Sequence, residues 1–388
     1  MDFFIVFLKA IGSVFLNPIF YWMIVLSFLP SDNRIKLEET FFNHKVLPIG
    51  TELKNTLKLS LFITSLMLIF TIGFKVTFPY EIIVVLSVVI VLLSFKMRYT
   101  FLSASYTLGF TYLIIWFLPK GPLENVLYTD WTFISIAIII GLFLIGEAIL
   151  FIAFNPSEAS PKLAYSKRGR WYGVLQVKKL SIIPFLVFLP QEVGTINNTI
   201  MPTLFIGEDA YTFFIMPFAL GFSHLFKGDL PAKYSKNIGF SLLLLALTVL
   251  CLAFGSLKIN NLSFLAVILA IVGRALIHYI FYKIDLKKPP FFIEGHPYLR
   301  VLGVVSGSPA EKLGFKIGDT ILKINDQRIH SLEQLDHLLR ETAENCLMEI
   351  NRTRGRLRFI EINEYKGNSL ELGLIFAREP VQPLKGRR

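Results

Sequence analysis

The sequence predicts a polytopic α-helical membrane domain followed by a small α+β domain at its C-terminal end. Hydrophobic residues make up 54% of the 388 positions and charged residues only 17%, against about 25% charged residues in soluble domains. Long apolar runs recur between residues 57 and 282, whereas shorter runs separated by Gly and Pro turns occupy residues 299–377. The composition and this change of pattern together set the fold class and the division of the chain.

Eight apolar runs have lengths near those that cross a bilayer, whose hydrocarbon core of about 30 Å takes about 20 helical residues. Six are clear, and those at 180–190 and 210–226 are weaker because the first is short and contains Pro184. Irregular chain at membrane depth is tolerated only where protein surrounds it. We therefore expect a multi-span domain over residues 1–282 with about eight spans, at 57–74, 80–95, 100–118, 131–154, 180–190, 210–226, 238–256 and 262–282.

The apolar segment 3–29 is interrupted at Asn17-Pro18. Proline breaks the helical hydrogen-bond ladder and pushes the preceding residue out of the α region. The sequence leaves open whether this segment is one kinked span or a pair of half-helices that lie on the membrane surface.

Positive charge is concentrated in the predicted membrane domain. Residues 1–288 carry 24 Lys and Arg against 15 Asp and Glu, while residues 289–388 carry 15 against 13. Basic residues cluster in 155–179 and 227–237, and 191–209 has none. Since Lys- and Arg-rich loops stay in the cytoplasm, we expect both basic loops and the C-terminal domain to be cytoplasmic. The charge indicates orientation and contact with membrane lipids, with no indication of nucleic-acid binding.

Residues 299–325 combine helix and turn signals at fixed spacings. Ser308 is placed to cap a helix that begins at Pro309 and ends at Gly314. Gly318-Asp319 then turns into a strand at 321–324. This order of strand, GSPAEKLG, GD and strand resembles the bacterial form of the PDZ domain. We place that domain at 299–377, after a juxtamembrane linker at 283–298 and before a basic tail at 378–388.

A second PDZ-like feature lies near the C-terminal end. Glu371-Leu372-Gly373-Leu374 matches the x-Φ-G-Φ loop with which PDZ domains bind a chain-end carboxylate, in a permuted order that resembles bacterial PDZ domains. We predict a last strand at 370–376 and a leucine-rich helix at 331–340, with a peptide adding as a strand between them. The predicted peptide-binding residues are Leu335, Leu339, Leu372, Gly373, Leu374 and Phe376.

Charged side chains inside the predicted spans suggest an intramembrane ion pair. Glu147 lies in 131–154, and Arg274 and His278 lie four residues apart in 262–282. Because charge in lipid is costly, such residues usually pair. Helix rise places Glu147 and Arg274 at similar depth, so we predict that they form a structural pair; a transport pathway is the alternative.

The sequence offers no motif for catalysis, a metal or a cofactor. A zinc protease needs two histidines four residues apart with a glutamate beside the first, and the six histidines form no such motif. A rhomboid-type serine would require Gly-x-Ser-Gly, and Gly221-Phe222-Ser223-His224 lacks the final glycine. We expect no enzyme and no cofactor, and we retain an intramembrane protease only as a weak alternative.

Several spans followed by one C-terminal PDZ domain, together with the opening run FLNPIFYW at 15–22, resemble the MinJ family of division-site determinants. The resemblance implies a non-enzymatic scaffold in a bacterial cell membrane, at the division septum and poles. It also implies cytoplasmic partners, with the scaffold bridging DivIVA-like and MinD-like division proteins. The oligomeric state is left open, and a PDZ-bearing transporter or sensor is the second hypothesis.

Overall fold

A computed structural model describes residues 12, 14, 15, 17–54, 56–74, 76–95, 98–118, 129–166, 169–191, 203–206, 209–259, 261–294, 297–341, 345–352, 355–363 and 367–380. Most of the segment 1–16 and tail residues 381–388 lie outside these described residues. The helices, in chain order, are α1 (Pro18–Phe42), α2 (Thr51–Lys54), α3 (Leu57–Gly73), α4 (Tyr80–Ser94), α5 (Ala104–Phe117), α6 (Asp130–Ile152), α7 (Pro231–Gly255), α8 (Leu262–Lys287), α9 (Pro309–Lys312), α10 (Leu332–Glu341) and α11 (Ser369–Leu372).

The strands among the described residues form three sheets. They are β1 (Ser160–Tyr165), β2 (Trp171–Gln191), β3 (Thr203–Ile206), β4 (Asp209–Phe226), β5 (Phe292–Ile293), β6 (Leu299–Arg300), β7 (Gly303–Val304), β8 (Thr320–Ile324), β9 (Gln327–Arg328), β10 (Asn345–Arg352), β11 (Arg356–Asn363) and β12 (Leu374–Ile375). The first sheet has the order β1-β2-β4-β3 with β5 beside β2, the second β11-β10-β8-β6 with β9 beside β8, and the third pairs β12 with β7.

Three helices among the described residues are long and apolar enough to cross a membrane: α6, α7 and α8. They correspond to the predicted spans 131–154, 238–256 and 262–282. Helices α3, α4 and α5 correspond to 57–74, 80–95 and 100–118, and they are apolar but only 17, 15 and 14 residues long. The N-terminal part of the chain is thus helical with three candidate spans.

The interruption at Asn17-Pro18 is the start of a helix. The Asn17 side chain accepts a hydrogen bond from the Ile19 N–H, and Pro18 is the first residue of α1, where its missing N–H costs nothing. The helix then continues past Pro30 to Phe42. Residues 18–29 therefore belong to one helix together with the polar segment that follows them.

The spans predicted at 180–190 and 210–226 are wrong, because both segments are strands of one long antiparallel hairpin. Strands β2 and β4 pair continuously from Leu175 opposite Phe226 to Gln191 opposite Ala210. The sequence misleads here because β2 is apolar on both faces although only one face is buried: Ile183 and Phe185 are buried, whereas Pro184 is exposed. A strand that is apolar on both faces shows a continuous apolar run instead of an alternation, and periodicity does not separate it from a helix.

Helices α3 and α6 contact the same face of this hairpin. The Thr56 hydroxyl, just before α3, donates to the Leu180 carbonyl at 2.8 Å, and the Ser60 and Ser181 hydroxyls lie 2.6 Å apart. The Phe143 ring of α6 stacks on Phe218 at 4.2 Å, and Phe218 pairs with Ile183 on the face that carries Ser181. One face of the hairpin is therefore packed into the helical domain.

The hairpin extends from one end of the helical domain to the other. The Phe78 N–H, between α3 and α4, donates to the Phe188 carbonyl at 2.9 Å. At the opposite end, Gly173 pairs with Phe292 of β5. The start of β2 and the end of β4 lie together beside β5, on the side of the C-terminal domain, so the two basic loops that flank the hairpin also share this side.

The structure of the C-terminal domain confirms most of the turns and helix ends predicted for it from the sequence. The Ser308 side chain accepts a hydrogen bond from the Glu311 N–H and caps α9, which begins at Pro309. Gly314 and Gly318 have φ values of +80° and +91°, the left-handed conformation that favours glycine. The predicted strand at 370–376 is wrong in its first half, because 369–372 form the helical turn α11 and only 374–375 form a strand.

We predict that Thr56→Val destabilises the helical domain, because it leaves the Leu180 carbonyl without this donor. An unsatisfied buried acceptor costs about 1–3 kcal/mol, which a lower thermal unfolding midpoint in detergent would report. The matched control is Thr64→Val on the same helix, since the Thr64 hydroxyl is buried with no partner among the described residues. Equal effects of the two substitutions would contradict the role of this hydrogen bond.

Candidate functional site

The predicted peptide-binding side chains form the core of the C-terminal domain. Leu335 and Leu339 of α10 and Leu372 and Leu374 beside α11 are at most 1% exposed, and Phe376 is 6% exposed. All five belong to one buried cluster. They therefore lie behind the groove as its floor, and other residues form its accessible walls.

The groove between α10 and residues 374–378 has a wide end and a narrow end. The wide end is a cavity of about 440 Å³ beside the start of α10, with Leu332, Asp336 and Arg378 among its lining residues. The narrow end has a volume of only about 10 Å³ and is lined by Leu332, Leu370 and Leu374, together with Phe42 of α1. Leu332 and Asp336 are four residues apart, so the groove faces a different stripe of α10 from the Leu335–Leu339 stripe that the sequence indicated.

The turn that resembles a carboxylate-binding loop has internal acceptors for its N–H groups. The N–H groups of Leu372 and Gly373 donate to the carbonyls of Asn368 and Leu370, each at 3.0 Å. The Ser369 N–H donates to Asp336 Oδ1 at 2.7 Å. A chain-end carboxylate at this turn would therefore meet N–H groups already in use and the negative charge of Asp336.

Gly373 is required by the backbone of this turn. Its φ is +94°, and a Cβ at this position would lie 2.3 Å from the Cβ of Ser308. Any other residue would be strained by the left-handed conformation and would clash with the start of α9. Gly373 therefore allows the chain to turn from α11 into β12 while its backbone packs closely against the start of α9.

Glu147 and Arg274 lie in contact inside the helical domain. Glu147 Oε1 is 2.6 Å from Arg274 Nη2 and accepts a hydrogen bond from Arg274 Nε at 2.8 Å. The Ser103 hydroxyl donates to Glu147 Oε2 at 2.6 Å. Both charged side chains are at most 2% exposed. His278, one turn beyond Arg274, lies with its ring centre 5.6 Å from that of His224 on β4.

A second buried ionic cluster was not predicted from the sequence. Arg34 of α1 lies 2.8 Å from both Glu38 and Glu52, and all three side chains are nearly inaccessible. Glu38 Oε2 also accepts the N–H groups of Val46 and Leu47 at 2.9 and 3.3 Å. The i, i+4 spacing of Arg34 and Glu38 was the available sequence signal.

Lysines surround this Arg34 cluster on the first sheet. Lys179 contacts Glu158. Burial and the nearby charge of Lys178 lower the pKa of Lys162 to about 8. The three acidic side chains of this region, Glu38, Glu52 and Glu158, each form an ion pair with Arg34 or Lys179. Such pairing is typical of a structural network. Among the described residues, no group of three His, Cys, Asp or Glu side chains is arranged to hold a metal ion.

The C-terminal domain is held against the helical domain by several contacts. Strand β5 pairs with β2, and the Ser306 N–H donates to the Val46 carbonyl at 2.9 Å. The carboxylate of Asp285, near the end of α8, accepts the N–H groups of Lys227 and Gly228 at 2.8 and 3.0 Å. Within the predicted linker, residues 283–287 are therefore the end of α8 and residues 292–293 form β5, and both elements are tied to the hairpin.

Residues 300–352 match the family of PDZ domains. The chain thus combines a helical domain that has candidate membrane spans with a C-terminal interaction domain of the PDZ class.

Over nearly its whole length, the chain is also similar to the cell division topological determinant MinJ of Bacillus subtilis (strain 168). The identity is 25% over 379 residues, which cover 96% of this chain and 95% of the relative. The probable cell division topological determinant MinJ of Lacticaseibacillus paracasei is 23% identical over 253 residues, 63% of this chain and 66% of the relative. The predicted MinJ-like character with a C-terminal PDZ domain is confirmed.

We predict that Arg34→Met strongly destabilises the protein, because it leaves the carboxylates of Glu38 and Glu52 buried without their partner. Breaking a buried ion pair costs about 3–5 kcal/mol, which would appear as a large fall in the thermal unfolding midpoint. Lys36→Met is the matched control, since Lys36 and Asp32 form an exposed pair two residues further along the same helix. Exposed pairs contribute little, so a similar fall in both variants would contradict this role of Arg34.

We also predict that Glu147→Gln and Arg274→Gln each lower the yield of folded protein, because each leaves one buried charge unpaired. Size-exclusion chromatography of the detergent-solubilised protein would measure this yield. The swapped pair, Glu147→Arg with Arg274→Glu, should recover part of it. Ser103→Ala removes only one hydrogen bond to the Glu147 carboxylate and should have a smaller effect, of about 1.5–3 kcal/mol. Unchanged yield in both single Gln variants would show that the pair does not support folding.

Proposed function

We propose that the protein is a non-enzymatic membrane scaffold that recruits cytoplasmic cell-division and septum-placement proteins. The observation that carries this proposal is the similarity to MinJ along 96% of the chain, together with the match of residues 300–352 to the PDZ domain family. PDZ domains act by binding protein segments. In this proposal the partners are DivIVA-like and MinD-like proteins, and the scaffold bridges the two.

The hairpin supports a cytoplasmic position for the PDZ domain. The hairpin begins and ends on the same side of the helical domain. The basic segments 155–179 and 227–237, which flank it, therefore lie on one side together with the PDZ domain. Lys- and Arg-rich segments stay in the cytoplasm. We therefore propose a multi-pass arrangement in which α3 to α8 cross the membrane and the hairpin lies among them.

The peptide site that we propose uses an exposed wall over a buried floor. Leu332, Asp336 and Arg378 provide the wall, and the floor comprises Leu335, Leu339, Leu372, Gly373, Leu374 and Phe376. A partner segment adds along β12 and contacts both. The internal bonds of the turn at 369–373 favour an internal segment or the surface of a folded partner over a free chain end.

A transporter or sensor is the second candidate function, and the observation that favours it is the polar cluster of Glu147, Arg274, His224 and His278. The two charged groups satisfy one another at 2.6 Å, which favours a structural role. The two functions differ in what Glu147→Gln would do. If the protein is a transporter, this variant should lose transport activity and keep its localisation in the cell. If it is a scaffold, the division phenotype should change only as far as the localisation or the amount of folded protein changes.

Imaging a fluorescent fusion in dividing cells, with a pull-down of DivIVA-like and MinD-like proteins, tests the scaffold. We expect the fusion at septa and poles and co-purification of both partners. Leu332→Glu, which places a charge on the groove wall, should lower recovery of at least one partner about fivefold or more. Arg340→Glu on an exposed position of the same helix is the control. Uniform membrane fluorescence with neither partner recovered would contradict the proposed function.

A further inference from the structure

The C-terminal end of α1 lies against the PDZ groove. Phe42, the last residue of that helix, is 1% exposed. Its side chain lines the narrow end of the groove with Leu332, Leu370 and Leu374. The space that remains there is about 10 Å³, compared with about 440 Å³ at the wide end. Since one water molecule needs about 10–15 Å³, no further side chain fits beside Phe42.

The segment that follows Phe42 is fixed from both sides. Asn43 adopts the left-handed conformation at φ +58° and ends the helix with a hydrogen bond from its N–H to the Glu39 carbonyl. The Val46 N–H donates to the buried carboxylate of Glu38, and the Val46 carbonyl accepts the Ser306 N–H of the PDZ domain. Phe42 is therefore held at the groove by contacts on the helical domain and on the PDZ domain.

The strand that would receive a peptide is also in contact with the helical domain. Ile375 of β12 belongs to the same buried cluster as Phe41 and Phe42, whereas its neighbours Leu374 and Phe376 belong to the PDZ core. Next to it, a Cβ on Gly303 would lie 3.0 Å from Pro161. The helical domain thus covers the face of β12 that carries Ile375, and Phe42 of that cluster also lines the narrow end of the groove.

We propose that Phe42 is an intramolecular occupant of the PDZ groove, and that a partner segment binds there by replacing it with a bulky apolar side chain of its own. The partner class is a protein segment with an aromatic or large aliphatic anchor that fits the space now filled by Phe42. The competition lowers the apparent affinity of such a partner in proportion to the fraction of protein in which Phe42 has left the groove. This inference rests on the groove itself and is independent of the proposed division role.

Thiol labelling of the full-length protein in lipid nanodiscs tests the proposal without requiring a partner. Leu370→Cys places a reporter in the narrow end of the groove, and Cys251→Ser removes the exposed native thiol. We expect Phe42→Ala to accelerate maleimide labelling of the residue-370 reporter at least fivefold. Phe41→Ala is the matched control, since the adjacent Phe41 is buried but does not line the groove, and should leave the rate unchanged. Arg340→Cys, an exposed reporter elsewhere on α10, should label at the same rate in every background.

The buried native Cys346 reports whether a variant unfolds, because it reacts only when the PDZ core opens. If Phe42→Ala exposes Cys346, the smaller truncation Phe42→Leu replaces it and should give an acceleration of about twofold or more with Cys346 protected. Equal labelling of the residue-370 reporter in the parent and in a folded Phe42 variant would overturn the proposal. So would an equal acceleration by Phe41→Ala, because the effect would then be a general loosening of the helical domain.

Discussion

A β-hairpin inside a helical domain must satisfy the backbone groups along its two outer edges, and the rest of the structure depends on this constraint. Between Leu180 and Phe188, strand β2 has β4 on only one side, so other parts of the helical domain must supply partners on the other. They do so through the Thr56 hydroxyl, just before α3, and through the Phe78 N–H in the link between α3 and α4. On β4, the Thr100 hydroxyl in the turn at 99–102 donates to the Ser223 carbonyl at 3.1 Å. These partners therefore come from the ends and connections of the helices.

The PDZ domain and the hairpin show where sequence reasoning succeeds and where it fails. Ser308, Pro309 and Gly318 act through their own backbone, so local signals are sufficient to predict the turns and the short helix. The segments 180–190 and 210–226 depend on what covers them, which no local pattern records. The apolar segments were identified correctly and their secondary structure wrongly. The two flanking loops therefore still lie on one side with the C-terminal domain, but two of the eight predicted helical spans are strands.

The predicted peptide-binding residues lie in the floor of the groove for a related reason. Leucine spacing identifies the apolar stripe of α10, and in a domain with a single core that stripe faces the interior. The accessible wall is the adjacent stripe with Leu332 and Asp336, which is mixed in polarity and gives a weaker signal. The contact of Phe42 with the groove could not be predicted at all, because about 290 residues separate it from its neighbours in α10. By contrast, the pairing of Glu147 with Arg274 followed from the cost of buried charge and from equal depth along two helices.

The position of the hairpin in the chain has a consequence for biosynthesis. Chains emerge from the ribosome N-terminal end first, and early elements can fold before later ones exist. Helices α3 and α6 and the turn at 99–102, which supply the walls of the hairpin, all precede residue 171 in the chain. The hairpin is therefore synthesised after the helices and the turn that it packs against, and before α7 and α8. A circular permutation that moved residues 171–226 ahead of α3 would keep every contact of the mature protein, yet the strands would then emerge with no partner to shield their edges.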